Sequence, residues 1–433
     1  MHVARLALSD FRSYRSAEFT FDPGVTVIVG RNGHGKTNVV EALEFLAYQH
    51  SHRVAKDAPL VRAGAPRAVI GAGVRWGDRD QSVEIEINPG RANRARVAGA
   101  ARRPREALGV LRAVLFAPED LALVKGEPSG RRHYLDELLV ALAPRMAGVL
   151  SEYDRVLRQR NALLRSAAGT RADDTFRASM EVWNAQLAQV GATVTQARLS
   201  AIARLSEPLS QAYEAVAPDG GVAAISYSAS WIPPELLANA GGTDIQQDLV
   251  AALTRRMSER EAAERDRGIT LVGPQRDDLL ITLGDFPAKG YASHGESWSL
   301  ALALRLAAFA ALRETFDTGG DPVLLLDDVF AELDVQRRER LAALVIPAEQ
   351  VIVTAAVADD VPDESMDVAG YPIRPAPGAE EALKFPLERL AHAMWRCGQV
   401  AERELDDRWD DARRDALEVP HCGGGQDDLM GHW

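Results

Sequence analysis

Only two cysteines occur in 433 residues, Cys397 and Cys422, so no disulfide framework holds the fold and no CxxC pair is available for a metal. The histidines beside them, His392 and His421, have poor spacing for a zinc site. No run of eighteen or more apolar residues is present, and the opening MHVARLALSDFRSYRS lacks the basic, apolar and small-residue succession of a leader segment. The expectation is a cytoplasmic protein in a reducing compartment, with no membrane partner. An overall basic footprint is also missing. The net charge of −12 argues at first sight against nucleic acid. Its distribution points the other way: residues 1–112 hold 18 Lys/Arg against 11 Asp/Glu, whereas residues 357–433 hold 8 against 18. Most of the acidity is a tail, and the basic N-terminal part can still attract DNA locally.

What is present is an ordinary globular composition, 46% hydrophobic, in a chain long enough for two or three domains. Short β-branched runs at Val3 to Leu8, Val25 to Val29, Ala68 to Val74 and Val83 to Ile87 predict a sheet, interrupted by a helix from Lys36 to about Tyr48. From Ser129 to Val216 the spacing is helical. Leu135, Leu139, Leu142, Met146 and Tyr153 share one face, and Trp183, Leu187, Val190 and Val194 another, with Pro144 dividing the first helix. A compact lobe is favoured over a short coiled-coil arm. The Gly- and Pro-containing stretch 217–244 reads as its far edge, and Gln246 to Asp266 as a returning helix. Strand and helix signals alternate again from Gly268 to Thr354. The predicted organisation is therefore an α/β head in two halves, 1–125 and 267–370, an inserted helical lobe at 126–266, and a mobile acidic tail at 371–433 with a charged helix from Glu381 to Leu417.

The clearest motif is GRNGHGKT. Gly30, Arg31, Asn32, Gly33, His34, Gly35, Lys36, Thr37 and the following Asn38 lie between a strand and a helix, the context in which GxxxxGK[ST] binds nucleotide phosphates. Glycines allow backbone amides to converge on phosphate, Lys36 reaches the β- and γ-phosphates, and Thr37 can hold Mg2+. The strand Val323 to Leu326 ends in Asp327-Asp328. A carboxylate at that strand end is expected on the same magnesium, which assigns Asp327 to the metal and Asp328 to placing the attacking water. Alone, a paired aspartate more often begins a turn; the phosphate loop upstream changes its weight. Ser293, Gly295 and Glu296, in SHGES before a helix over Trp298 to Phe316, make an anion cap of hydroxyl, amide and helix terminus. Out of context SxGE is more often an N-cap.

For DNA the candidates are Arg91, Arg94, Arg96, Arg102, Arg103 and Arg105, a basic segment suited to phosphates rather than bases. A solvated loop is the competing reading. Arg131 and Arg132 start a helix, where their charge opposes the dipole, so they either contact phosphate or pair with acidic residues of the head.

Taken together, these elements resemble the RecF family of bacterial recombination mediators, relatives of chromosome-maintenance and double-strand-break-repair ATPases. The likeness runs through most of residues 1–355. It is carried by LALSDFRSY, GRNGHGKTNVVEAL, Phe116-Ala-Pro-Glu-Asp-Leu121, the stretch from Val124 through Arg131 and Arg132 to Asp136, Gly273-Pro-Gln-Arg276-Asp277-Asp278, and Leu325-Leu-Asp327-Asp328-Val-Phe-Ala331-Glu332-Leu333-Asp334. Departures are Gln275 where the family usually has His, Trp298 where a basic residue is common, and Glu127 at a normally small position. The resemblance implies an ABC-type head in which ATP and Mg2+ bridge the lysine loop of one subunit and the Ser293 loop of a second. It implies an ATP-dependent homodimer that binds double-stranded DNA near single-strand gaps and works with RecR and RecO to help RecA load, with slow hydrolysis. Ala331 to Asp334 then resembles the D-loop of that interface. A non-repair ABC-type ATPase and a non-hydrolysing nucleotide-dependent scaffold are the alternatives.

Overall fold

The computed structural model describes residues 1–31, 33–166, 173–238, 244–315, 320–356 and 383–384. Asn32, expected as a phosphate ligand, and nearly all of the expected tail helix fall outside these residues.

The chain opens with β1 (His2–Phe11) and β2 (Tyr14–Thr20), then β3 (Gly24–Val29) and α1 (Lys36–Tyr48). β4 (Ala68–Trp76), β5 (Arg79–Ile87), β6 (Arg94–Val97) and β7 (Ala100–Arg102) follow, and then β8 (Ala113–Phe116). An antiparallel sheet runs in the order β2-β1-β4-β5-β6-β7. Its strands alternate buried and accessible side chains, as in β4, because only one face meets the core.

Helices occupy the middle: α2 (Leu121–Lys125), α3 (Pro128–Leu142), α4 (Met146–Ser166) and α5 (Asp174–Val216). Pro144 falls in the break between α3 and α4, as its missing amide requires. The 43 residues of α5 extend about 65 Å at the usual rise. Arg160 of α4 is fully buried and bonds Asn184 of α5, Thr270, and Glu264 at 2.6 Å. Glu264 lies on α7 (Gln246–Arg267), so a single guanidinium ties three helices together.

Between α5 and α7 lie β9 (Ala223–Ser228) and α6 (Pro234–Ala238). The stretch 217–244, expected as a lobe edge, contains a strand that was not expected: β9 pairs antiparallel along its whole length with β10 (Asp278–Leu283). The alternating signal in AAISYS is short and lacks a hairpin partner nearby in sequence. β11 (Phe286–Pro287) completes that small sheet, followed by α8 (Ala288–Tyr291) and α9 (His294–Arg313). α9 begins four residues before the expected Trp298. It is the one helix among the described residues long and apolar enough to cross a membrane, and 67% of that stretch is buried inside the fold.

β12 (Val323–Asp327), α10 (Val335–Val345) and β13 (Gln350–Ala355) close the head, and β14 (Leu383–Lys384) pairs antiparallel with β3. The second sheet has the order β14-β3-β13-β12-β8. β3, β13, β12 and β8 are parallel and buried, which is why they read as continuous apolar runs. Two strands from late in the chain thus sit between two from its first third. Val39, Leu43 and Leu46 of α1 pack onto this layer with Ile28, Leu325 and Ile352. Burying each such side chain contributes about 1.5–3 kcal/mol.

Candidate functional site

The site lies at the carboxyl ends of the parallel strands, the usual ligand crevice of such sheets. β3 ends at Val29 and β12 at Asp327, with β13 between them; Thr354 of β13 is in register with Asp327. Turning from β3 into α1 within a few residues requires left-handed backbone, and Gly33 and Gly35 supply it at φ +88° and +96°. A side chain at Gly35 would also collide with the Tyr14 hydroxyl, 2.8 Å from the position of a β-carbon. That hydroxyl donates to the Gly35 carbonyl at 3.2 Å, and burial pushes its pKa up to about 12, so it stays protonated.

Lys36 is 4% exposed, and its Nζ donates to the Gly30 carbonyl at 2.5 Å. The loop therefore folds back on its own lysine. Arg31 and Gly33 are exposed at its rim and His34 half-buried, with the His34 amide donating to the Arg31 carbonyl. Asn38 donates to Ser13 Oγ at 2.9 Å and accepts from Arg53 at 3.1 Å. Beneath it, Glu41 has no exposed surface and is clamped by Arg12 and Arg53.

Asp327 is 3% exposed. Burial raises its pKa; opposing this, its carboxylate accepts from Thr354 Oγ1 at 2.5 Å and feels His52 and, more weakly, the Thr37 hydroxyl. The order β3-β13-β12 therefore sets the start of α1, where Thr37 lies, and Asp327 at the same end of the sheet. Thr354 Oγ1 also accepts from the Asp328 amide at 3.0 Å. Asp328 is held at φ +50°, unusual for a residue with a side chain, and its Oδ1 is buried without a hydrogen-bond partner. Strain and an unpaired buried carboxylate oxygen at a strand end mark a working group more often than a packing one.

Ser293 is the N-cap of α9: its hydroxyl accepts from the Glu296 amide, and its own amide donates to Glu296 Oε2 at 2.7 Å. Hydrogen bonding to Ser293 lowers the Glu296 pKa. Ser293 is exposed, so the amide end of α9 faces solvent. Neighbours of this turn are Lys125, which meets His294 at 3.2 Å, and Arg337 of α10, which lies against Gly295. Asp334 caps α10 and holds Arg337 at 2.8 Å.

The arginines separate into two groups. Arg91, Arg94, Arg96, Arg102, Arg103 and Arg105 all lie on or beside the β6–β7 hairpin, exposed to solvent. Arg96 pairs with Glu84 at 3.1 Å and Arg94 with Glu86 at 3.6 Å, whereas the other four make no ion pair among the described residues. Because Arg102 stands opposite Ala95, it projects from the sheet face opposite Arg94 and Arg96. One continuous row of six does not exist. Arg131 is corrected as a phosphate candidate: it is 5% exposed and bidentate to Asp278 at 2.7 and 2.8 Å. Arg132 donates to the Asp277 carbonyl at 2.8 Å.

A profile of the RecF/RecN/SMC N terminal domain matches residues 2–368. The DNA replication and repair protein RecF of Streptomyces avermitilis is 56% identical over 369 residues, 84% of this chain and 95% of that protein. The chain belongs to the RecF family. The RecF protein of Kineococcus radiotolerans is 54% identical over 84% of this chain and 94% of its own length. Among solved structures, the recombination mediator protein RecF-ATPrS in the RecFOR pathway is 27% identical, with a TM-score of 0.74 over 83% of this chain and 94% of that one. An Smc head with an extended coiled coil, bound to the C-terminal domain of ScpA from Pyrococcus furiosus, shares the fold at 18% identity and a TM-score of 0.50, over 92% of this chain and all of that one. The α/β head of the ABC/SMC-like ATPase superfamily is thus the fold of this RecF-family chain.

The departures from the RecF pattern are accommodated by packing. Trp298 is 3% exposed, donates to His294 Nε2 at 3.1 Å, and meets Phe116 edge-on at 5.7 Å. Glu127 pairs with Lys289 at 3.1 Å. Gln275 accepts from Tyr153 and donates to the Val272 carbonyl, within a buried group that includes Arg198, Asp136, Tyr227 and Asp277. Motif reading missed Tyr14, Glu41, His52 and Thr354. Only Thr354 carried a sequence signal, as the polar end of an otherwise apolar strand.

Proposed function

We propose that this chain is an ATP-dependent DNA-binding protein of recombinational repair and replication maintenance. ATP binds to the loop from Gly30 to Asn38, with Lys36 on its β- and γ-phosphates, and is capped by the Ser293 hydroxyl and the Gly295 amide of a second copy, with Glu296 of that copy holding the turn in place. The homodimer engages double-stranded DNA near gaps and adjoining single strands through the unpaired arginines Arg91, Arg102, Arg103 and Arg105. It works with RecO and RecR, in keeping with the RecFOR pathway named for the similar structure, and promotes RecA loading. Slow, DNA-stimulated hydrolysis resets the dimer.

The observation that carries this reading is that β3, which leads into the glycine loop, and β12, which ends in the buried Asp327, flank β13 in one parallel sheet, with the Thr37 hydroxyl near enough to help lower the Asp327 pKa. The Thr37 hydroxyl and Asp327 carboxylate oxygens are the donor set that suits Mg2+, and these two residues would hold it. When bound with nucleotide, the ion supplies charge neutralisation at the phosphates. Asp328, raised on strained backbone with one free oxygen, orients the water. Because phosphate loop and anion cap belong to different copies, the interface is two-fold and self-complementary.

The test is molecular mass in solution with Mg-ATP, with ADP and with neither, each with gapped DNA. A dimer is expected in ATP alone. A monomer under saturating Mg-ATP on gapped DNA overturns the composite site.

A further inference from the structure

Away from the nucleotide site, three potential ligands meet where the C-terminal end of α1 reaches α3. We propose that His50, His133 and Glu137 form a binding site for a divalent transition ion of the zinc type.

The ligand atoms of the three residues all lie within 4.8 Å of one another. His133 and Glu137 are one turn apart on α3, so their side chains share a face, while His50 follows the left-handed cap residue Gln49 that ends α1. Nε2 of His50 is 2.8 Å and Nε2 of His133 is 3.1 Å from the same carboxylate oxygen, Glu137 Oε1. Two imidazoles aimed at one oxygen, with a carboxylate as third donor, are the ligand set of an open zinc site.

Proton accounting leaves two arrangements, an imidazolium between two carboxylates or a neutral ring with an ion. Neither ring nitrogen of His50 makes an aligned hydrogen bond, although both are buried. Its Nδ1 faces Glu44 Oε1 at 4.0 Å and its Nε2 faces Glu137. In a neutral ring only one nitrogen carries hydrogen, so either tautomer leaves a lone pair pointing at a carboxylate. A cation at Nε2 removes the conflict and lets the Nδ1 hydrogen face Glu44, the outer-shell arrangement that orients metal-bound histidines. Arg305 holds the other oxygen of Glu137 at 3.4 Å and so leaves Oε1 for the ion. The His133 side chain is 61% exposed and provides the entry path. An ion here fastens the helix that starts at Lys36 to the first long helix of the lobe.

The experiment is zinc titration of the full chain, stripped with a chelator, against a chromophoric competitor in excess Mg-ATP, followed by Co2+ to report coordination by its visible spectrum. One zinc per chain is expected, with a four-coordinate Co2+ spectrum. His133→Ala, at an exposed position, and His50→Gln should each weaken binding by more than about 100-fold, the upper end of what an outer-shell loss costs. Cys397→Ser with Cys422→Ser should leave it unchanged. No binding by the unaltered chain, equal binding by both histidine variants and the unaltered chain, or loss in the cysteine variant overturns the site; the imidazolium–carboxylate alternative corresponds to the first of these.

Discussion

The guanidinium of Arg337 lies across Gly295, so that a β-carbon on the glycine would stand 2.9 Å from Nη1. The same side chain pairs with Asp334, and one arginine therefore joins the Ser293 turn to the start of α10. Gly295→Ala displaces the flexible end of Arg337 rather than backbone. It should cost about 1 kcal/mol or less in stability, as for other surface pairs, yet weaken ATP-induced association. Ser293→Arg should bind ATP as a monomer and fail to dimerise. Sedimentation with and without ATP checks both, and an undiminished dimer for Ser293→Arg contradicts the capping role.

Lys36→Ala should lower nucleotide affinity by about 10- to 100-fold or more, since a hydrogen bond to a charged group contributes about 1.5–3 kcal/mol. Calorimetric titration is the check; unchanged affinity refutes the phosphate-loop assignment. Asp327→Asn keeps the shape of a buried side chain, so binding should persist while phosphate release falls on the order of 100-fold. Release that is undetectable in the unaltered chain, with or without duplex DNA, would favour a non-hydrolysing scaffold.

The two classes of arginine should behave differently on DNA. Removing one phosphate-binding arginine flattens the plot of log affinity against log salt by about 0.9. Replacing Arg91, Arg102, Arg103 and Arg105 by Ala should therefore flatten it markedly, whereas Arg94→Ala with Arg96→Ala should do little, because those two already face Glu86 and Glu84. Equal slopes for both variants, measured by fluorescence anisotropy, would move the DNA surface elsewhere.

Asp277 gives a pH signature. Burial raises its pKa from 3.8 to about 7, against the pull of Tyr227, Trp231, Arg198 and Arg132. The folded chain holds a proton that the unfolded chain has released, so this contribution is complete below about pH 4 and is lost as pH rises through about 7. Asp277→Asn, which mimics the protonated form, should flatten that part of the stability profile. Urea unfolding from about pH 5 to about pH 8 measures it, and an unchanged profile would show that Asp277 is ionised throughout.

Arg160→Met leaves Glu264 charged and unpaired inside the lobe and should cost about 3–5 kcal/mol. Arg160→Met with Glu264→Leu should recover most of that loss, because the desolvation penalty disappears with both charges. Thermal unfolding of the single and double variants separates the two cases.

The phosphate loop, its strand and its helix were legible because local chemistry dictates them: glycines at positive φ, a lysine at the helix start, and apolar residues at helical spacing. Asp327 was legible for a similar reason, a carboxylate ending a fully apolar strand. Tyr14 was not, because its importance depends on a hairpin folding over Gly35, and Thr354 showed only as a polar strand end, its partner Asp327 being set by register between strands. β9 was missed because its partner β10 lies beyond α7. Arg131 shows the opposite limit: its charge at a helix start is visible in sequence, but the choice between phosphate and Asp278 is made by a residue 147 positions away.

Interleaving β12 and β13 between β3 and β8 sets a timetable for biosynthesis. Val25 to Val29 and Ala113 to Phe116 leave the ribosome early, yet β8 must wait for Val323 to Asp327 and β3 for Gln350 to Ala355 before either gains its parallel neighbour. At about 5–20 residues per second, that wait is on the order of ten to sixty seconds. Apolar strand edges stay uncovered meanwhile, the condition in which folding chains are prone to aggregate, and a polypeptide stalled before Gln350 leaves β3 without its parallel neighbour in the sheet.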